Sequence, residues 1–255
     1  MTSINPILKI ENLTLGTKTN HNLVSNVNLT VEPGESIGLV GESGSGKTLT
    51  LRSILGLLPP GIKQLSGNIK NNGNCAMIFQ NPLGALDPLC PVVSQLAEVV
   101  YYRQKVTHKA SRTIALELLE SLGLPDSLKQ TDRYPSQLSG GQCQRIVIAM
   151  ALACKPSILL CDEPTTALDV TVQQQIIDII KSLQRELGFA IVFVTHNLAI
   201  ASSMCSRLCV MKEGKIIEQG ETLELLQNPQ NPYTQMLIHS VLPLPDIERS
   251  VDLCP

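Results

Sequence analysis

Short apolar runs rich in β-branched residues alternate along the chain with stretches of helical period, which predicts a mixed α/β architecture with a largely parallel core sheet. Strands are expected at Leu8 to Leu15, Val27 to Val31, Ser36 to Val40, Cys75 to Phe79, Ile158 to Cys161, Ala190 to Val194, Leu208 to Lys212 and Lys215 to Gln219. The early strands, with Gly67 to Lys70, read as an antiparallel lobe beside the core. Only the turn Asn71-Asn72-Gly73-Asn74 separates the last two strands of that lobe. After Asp169, the residues Ile176, Ile177, Ile180, Leu183 and Leu187 make a single apolar stripe, the mark of a helix packed on the sheet. Between Pro82 and Pro135 strands give way to helical runs at Val92 to Tyr102 and Ser111 to Leu122, with Gly123 as a stop. That region, about 83–150, reads as a helical insertion between two core strands. From about 221 to 255 a C-terminal extension holds a short helix, the turn-rich link Asn228-Pro229-Gln230-Asn231-Pro232-Tyr233 and a last helix.

A chain of 255 residues can bury a substantial core. Its formal charge of -2, with Lys and Arg scattered, supplies no basic stripe for nucleic acid, so no nucleic-acid partner is expected. Charged residues make up 16%, against a usual figure of roughly 25%, which fits either a surface covered by other subunits or a mildly polar one. No apolar run approaches the ~18–20 residues that span a bilayer, and Met1 to Ile10 lacks a basic start and an apolar segment, so a cytosolic chain is expected. The eight cysteines contain no C-x-x-C pair, and several sit in apolar runs; they are expected to be reduced and mostly buried.

The chemistry begins at Gly41-Glu42-Ser43-Gly44-Ser45-Gly46-Lys47-Thr48, which fits the G-x-x-x-x-G-K-[ST] phosphate loop, follows a predicted strand and precedes the helical run Leu49 to Leu57. Its glycines let backbone N–H groups turn inward on phosphate, Lys47 offsets charge on the β and γ oxygens, and the Thr48 hydroxyl can ligate Mg²⁺. Downstream, Ile158-Leu159-Leu160-Cys161-Asp162-Glu163 ends an apolar strand with adjacent carboxylates. Neighbouring strand residues point to opposite sides, so the two carboxylates have different jobs. Asp162 is placed for Mg²⁺, and Glu163 for taking a proton from attacking water.

A second phosphate-like turn, Leu138-Ser139-Gly140-Gly141-Gln142, opens the apolar run Ile146 to Cys154. One chain thus carries two cradles. These strings together resemble the ATP-binding subunit of an ABC transporter, over nearly the whole chain: a single ABC ATPase domain across 1–255 with a RecA-like P-loop core, an antiparallel β lobe and an inserted helical subdomain. Gln80 resembles the Q-loop glutamine, which touches Mg²⁺ and attacking water, and LSGGQ at Leu138 to Gln142 resembles the family signature. Ala167-Leu168-Asp169 resembles the D-loop, and His196 the switch histidine that reaches the γ-phosphate. The resemblance implies ATP and Mg²⁺ as cofactors, nucleotide contacts from Gly41 to Leu49, and catalysis by Lys47, Glu163 and His196. It also implies a head-to-tail dimer in which Ser139, Gly140 and Gly141 face the nucleotide of a second ABC ATPase subunit, identical or related.

Within the family, Gln80-Asn81-Pro82 with Leu86-Asp87-Pro88, and Asn228 to Thr234, are similar to the dipeptide, oligopeptide and nickel importer branch; Leu55 to Gln64 followed by Gly67 is similar to the nickel-import ATPases. This implies a peripheral subunit on the cytoplasmic face of the membrane, two transmembrane permease subunits that dock where the helical insertion begins, and indirectly an extracytoplasmic solute-binding protein. Nickel or a nickel complex is the expected cargo, with a peptide or metallophore importer as the alternative. A soluble ABC ATPase of DNA repair or translation is the alternative from another class. The chain departs from the family upstream of the phosphate loop: an aromatic residue usually stacks on adenine, but the first aromatic here is Phe79, leaving His21 or Val24 as substitutes. A lone Cys254 cannot hold a cysteine cluster of the kind some relatives carry at their C-terminus.

Overall fold

Two sheets divide the strands of the computed structural model, which describes residues 5–19, 21–166 and 168–241. Along the chain run β1 (Leu8–Thr17), β2 (Asn22–Val31), β3 (Ser36–Val40), α1 (Lys47–Ile54), β4 (Ile62–Asn71), β5 (Cys75–Ile78), α2 (Pro82–Ala85), α3 (Val92–Gln104), α4 (His108–Ser121) and α5 (Ser127–Gln130). There follow α6 (Gly140–Ala153), β6 (Ile158–Asp162), α7 (Val170–Leu187), β7 (Ala190–Thr195), α8 (Leu198–Met204), β8 (Arg207–Lys212), β9 (Lys215–Glu221), α9 (Thr222–Gln227) and α10 (Pro232–Val241). The antiparallel sheet has the order β2-β1-β4, and the larger sheet the order β5-β6-β7-β3-β8-β9, parallel except for the β8–β9 edge.

The small sheet departs from strict alternation for a readable reason. In β1 the buried apolar side chains are Leu8 and Ile10, then Leu13 and Leu15; in β2 they are Val24, then Val27, Leu29 and Val31. Each series changes phase at an asparagine of positive φ, Asn12 or Asn26 (φ 52 in both), where the strand pairing also slips register. An asparagine tolerates this conformation, and the extra residue is a β-bulge that returns the next apolar side chain to the core. Side chains satisfy the bulge amides: Asn12 N–H donates to Asn28 Oδ1 at 2.9 Å and Asn26 N–H to Thr14 Oγ1 at 3.2 Å. The phase change hides the first half of β2 from a search for simple alternation.

Apart from its edge strand β9, the larger sheet is buried on both faces, as its near-continuous apolar strands require. Leu39, Leu160, Val192 and Cys209 pack with the small sheet and α1, whereas Val40, Cys161, Phe193 and Val210 pack with the helices on the other side. Phe193 is fully buried at the centre of the helical side, and truncating such a side chain to alanine costs about 3–5 kcal/mol. Helices α2 to α6 lie between β5 and β6, and α3, α4 and α6 bury Leu96, Leu119 and Ile146 in the same cluster as Phe193.

Several elements differ from the sequence expectation, β2 and β4 by starting earlier, at Asn22 and Ile62. Strand β5 belongs to the core sheet, parallel to β6, and not to the antiparallel lobe, so Asn71–Asn74 joins two sheets instead of closing a hairpin. Helix α1 starts at Lys47 and stops at Ile54, before Leu57. Helix α4 starts at His108 because the Thr107 hydroxyl caps it, accepting the Ala110 N–H. Leu187 lies 58% exposed, outside the apolar stripe, because α7 ends at Gly188 in the left-handed conformation. All seven described cysteines are free thiols. Burial pushes Cys161 and Cys205 far above the usual thiol range, and Cys209 up to about 12. Cys254, like the rest of the extension after Val241, lies outside the described residues. Among the described residues, no helix is long and apolar enough to cross a membrane.

Candidate functional site

Four strand ends of the larger sheet, those of β3, β5, β6 and β7, build the site. The loop after β3 winds through Gly41 to Gly46 and enters α1 at Gly46, whose φ of 100 only glycine adopts readily. Ser43, Gly44, Gly46, Lys47, Thr48 and Leu49 line a cavity of about 300 Å³. Glu42 is exposed and Gly41 buried, and neither lines that cavity. The Lys47 ammonium is buried inside its own loop, donating to the carbonyls of Gly41 at 2.8 Å and Glu42 at 2.7 Å. Burial pulls this lysine below its usual range, opposed by the carboxylates of Glu163, Asp162 and Glu42.

At the end of β6, Asp162 and Glu163 diverge. Asp162 Oδ1 accepts the Thr48 hydroxyl at 2.7 Å, while Asp162 Oδ2 is buried without a hydrogen-bond partner. Burial raises the Asp162 carboxyl above its usual range, against the Thr48 hydrogen bond and the nearby Arg52. An orphaned carboxylate oxygen beside a threonine hydroxyl is a hard oxygen donor set, and it suits Mg²⁺.

Glu163 leaves the strand with φ 46, its N–H held by the Val194 carbonyl at 2.9 Å. Its Oε2 accepts the Thr166 hydroxyl at 2.8 Å and the Gln80 amide at 3.5 Å, and lies 3.1 Å from His196 Nδ1. Gln80 and Glu163 line the same cavity as the phosphate loop. The fold therefore brings Lys47, Thr48, Gln80, Asp162, Glu163 and His196 together from four separate parts of the sequence.

It keeps the second cradle apart. Ser139 caps α6 in a reciprocal box: its hydroxyl accepts the Gln142 N–H at 3.3 Å and the Gln142 side chain accepts the Ser139 N–H at 3.0 Å. Leu138 is half-buried against the helical core, whereas Ser139 and Gly140 are exposed. None of Leu138 to Gln142 lines the phosphate-loop cavity. Asp169 caps α7 by accepting the Val172 N–H at 2.9 Å, and the adjacent Val170 is 83% exposed.

A family model described as ABC transporter matches residues 24–166. The chain belongs to the ABC transporter family. This ABC ATPase is 41% identical over 266 residues to the uncharacterized ABC transporter ATP-binding protein YejF of Escherichia coli K12, covering 94% of its own length and 50% of YejF. It is also 40% identical over 241 residues to the oligopeptide transport ATP-binding protein AmiE of Streptococcus pneumoniae, covering 88% of its own length and 68% of AmiE. Its fold matches the dimeric structure of the ATP-binding cassette MJ0796 bound to ADP and Pi, with a TM-score of 0.72 and 29% identity over 84% of this chain and 98% of that one. The ABC ATPase thus uses ATP, with Mg²⁺ as the metal that the Thr48–Asp162 pair fits.

Three features of the site escaped the sequence reading. Val24 is fully buried in the core and unavailable to a base; its neighbour Leu23, on the other side of the strand, lines the cavity instead. The period-two alternation of β2 carried that signal, obscured by the bulge at Asn26. Thr166 holds Glu163 and lies in no motif used above. Tyr233, 191 residues from Glu42, touches the phosphate loop.

Proposed function

We propose that this ABC ATPase hydrolyses ATP to energise an importer, with a peptide as the cargo. The observation that carries the hydrolytic reading is the convergence of Lys47, Thr48, Gln80 and Glu163 at one cavity, with Asp162 bonded to Thr48 at its edge. Glu163 takes the proton of the attacking water, and His196 and Thr166 fix the direction of its carboxylate. Lys47 is buried in the loop, and the carboxylates of Glu163, Asp162 and Glu42 oppose the effect of burial and favour its charged form, which leaves an ammonium beside the place where phosphate charge develops. Bound Mg²⁺, held by Thr48 and Asp162 with Gln80 beside them, supplies a Lewis acid for the phosphate oxygens.

The chain's own signature turn does not reach this cavity, so the exposed Ser139 and Gly140 serve the nucleotide of a second ATPase subunit, and Asp169 lies at that contact. The domain reading follows: one ABC ATPase unit, with residues 83–150 as the helical insertion and 221–255 as an extension. A groove of about 460 Å³ between the core and the insertion, lined by Leu57, Phe79, Ala85, Val99 and Met150, supports docking of a permease segment. The subunit then works at the cytoplasmic face of the membrane with two permeases, and a solute-binding protein acts on the far side.

For the cargo, AmiE is named for oligopeptide transport and neither relative for nickel, so the peptide reading displaces the nickel expectation. The nickel resemblance rests on Leu55 to Gln64, and Leu55 and Leu57 line the groove; that run therefore speaks of the docked permease before the cargo. Replacing Glu163→Gln is expected to lower hydrolysis by about 100-fold or more while ATP still binds and an ATP-bound dimer accumulates. Normal turnover in that variant sinks the assignment. Deleting the gene is expected to abolish growth on a peptide as sole amino-acid source and leave nickel uptake intact; the opposite pattern returns nickel to first place.

A further inference from the structure

The run Asn228 to Thr234 has no part in the mechanism above, yet it reaches the phosphate loop. Glu218 on β9 accepts the amide hydrogens of Gln230 at 2.7 Å and Asn231 at 3.1 Å, and the Asn231 side chain accepts the Tyr233 N–H at 2.9 Å. The chain is thereby folded back so that α10 begins against the loop. The Tyr233 ring is buried, with the Lys212 ammonium 4.6 Å from its centroid. Its phenol oxygen accepts the Glu42 N–H at 3.2 Å.

That N–H shares a rigid plane with the Gly41 carbonyl, because the peptide bond does not rotate. The opposite edge of the same plane accepts the Lys47 ammonium at 2.8 Å. Tyr233 and Lys47 thus grip one peptide unit from two sides. Behind it, the Gly214 N–H donates to the Ser45 carbonyl at 3.0 Å, so the C-terminal third of the chain braces the loop at two points.

We infer that Tyr233 is a positioning residue for ATP binding: by holding the Gly41–Glu42 peptide it keeps the phosphate loop ordered, and docking of Asn228 to Thr234 thereby sets nucleotide affinity. The inference rests on the nucleotide reading of the loop. Without the phenol, Lys47 still has the Glu42 carbonyl at 2.7 Å. What is lost is order in the loop, which the nucleotide must then impose at a cost in affinity.

The test is Tyr233→Phe, which keeps the ring over Lys212 and removes the hydroxyl with its contacts to Glu42. Titration with a fluorescent ATP analogue and steady-state hydrolysis should show Kd and KM raised about two- to tenfold, with kcat unchanged and the melting temperature within about 2 °C of wild type. By reciprocity, ATP should slow amide exchange across α10 in the wild type and fail to do so in the variant. Tyr233→Leu, which also removes the ring, should lower the melting temperature as well. An unchanged Kd in Tyr233→Phe, or α10 exchange indifferent to ATP in the wild type, overturns the coupling alone. A wild-type chain that binds no nucleotide overturns both the coupling and the reading beneath it.

Discussion

Gly140 and Gly141 look equivalent in the sequence, and the structure makes them unequal. A β-carbon on Gly140 finds its nearest neighbour, Leu168 Cδ2, at 3.7 Å, an ordinary contact; one on Gly141 falls 2.7 Å from Val172 Cγ1 on α7. The first glycine leaves the exposed turn open, and the second lets α6 approach α7. Gly140→Ala is therefore expected to melt at or above wild type, since alanine gains up to ~1 kcal/mol over glycine in a helix. Gly141→Ala is expected to melt below it, with about 1–3 kcal/mol lost to overpacking. Val172→Ala should restore the Gly141→Ala protein, a coupling that a double-mutant cycle of thermal melts measures directly. Glu163 shows the same local logic at the reacting end. It is a bulky residue at φ 46, a conformation costing on the order of 1–3 kcal/mol, and Thr166 of its own loop together with Gln80 and His196 from elsewhere hold its carboxylate in place.

At the scale of elements, the docking of the C-terminal segment on β9 is electrostatic and so depends on pH. Burial would raise the Glu218 carboxyl, but the Thr234 hydroxyl beside it and the Gln230 and Asn231 amides that donate to it outweigh burial and hold it below the usual carboxylate range. A carboxyl with a lowered folded pKa contributes stability above its unfolded value, about 4.3, and loses that contribution as pH falls through the folded value. Glu218→Gln should therefore loosen the segment at pH 7, by about 1–2 kcal/mol, visible as faster amide exchange over α10. The gap to wild type should close as pH falls below the unfolded value and through the lower folded one; a gap independent of pH counts against the ionised carboxylate as the cause. Elements of this kind were legible in the sequence as composition and not as contacts. The phosphate loop and the Asp162-Glu163 strand end were readable because their chemistry is local, with strand, turn and helix adjacent in the chain. Leu23 and Thr166 were not readable. The bulge at Asn26 broke the alternation that would have turned Leu23 outward, and the value of Thr166 arises only from the backbone twist at Glu163. The placement of β5 was misread because a turn of four residues between two strands signals a hairpin, whereas the partner that decides its sheet, β6, lies 80 residues away.

On the proposed function, the chain carries both halves of a reaction centre, and its own turn does not line its own phosphate-loop cavity. Its phosphate loop and Glu163 line that cavity, with Asp162 bonded to Thr48 of the loop, while its Ser139 turn is locked in a capping box on the exposed end of α6. The capping box matters here because it fixes the turn by itself: Ser139 presents its hydroxyl hydrogen and the exposed first amides of α6 in a set direction with no help from nucleotide. If two copies close head to tail, a defect in the phosphate loop of one and a defect in the turn of the other fall at the same site and leave the second site whole. Lys47→Ala and Ser139→Arg chains, each inactive alone, should therefore regain activity on mixing. Random pairing gives mixed dimers half the time, each with one of two sites intact, so the ceiling is about a quarter of wild-type turnover. Recovery should grow with protein concentration, disappear when the Ser139→Arg chain, which has the intact loop, also carries Glu163→Gln, and persist when the Lys47→Ala chain carries it. Two chains that each work only within their own fold recover nothing on mixing, and that result would remove the need for a partner altogether.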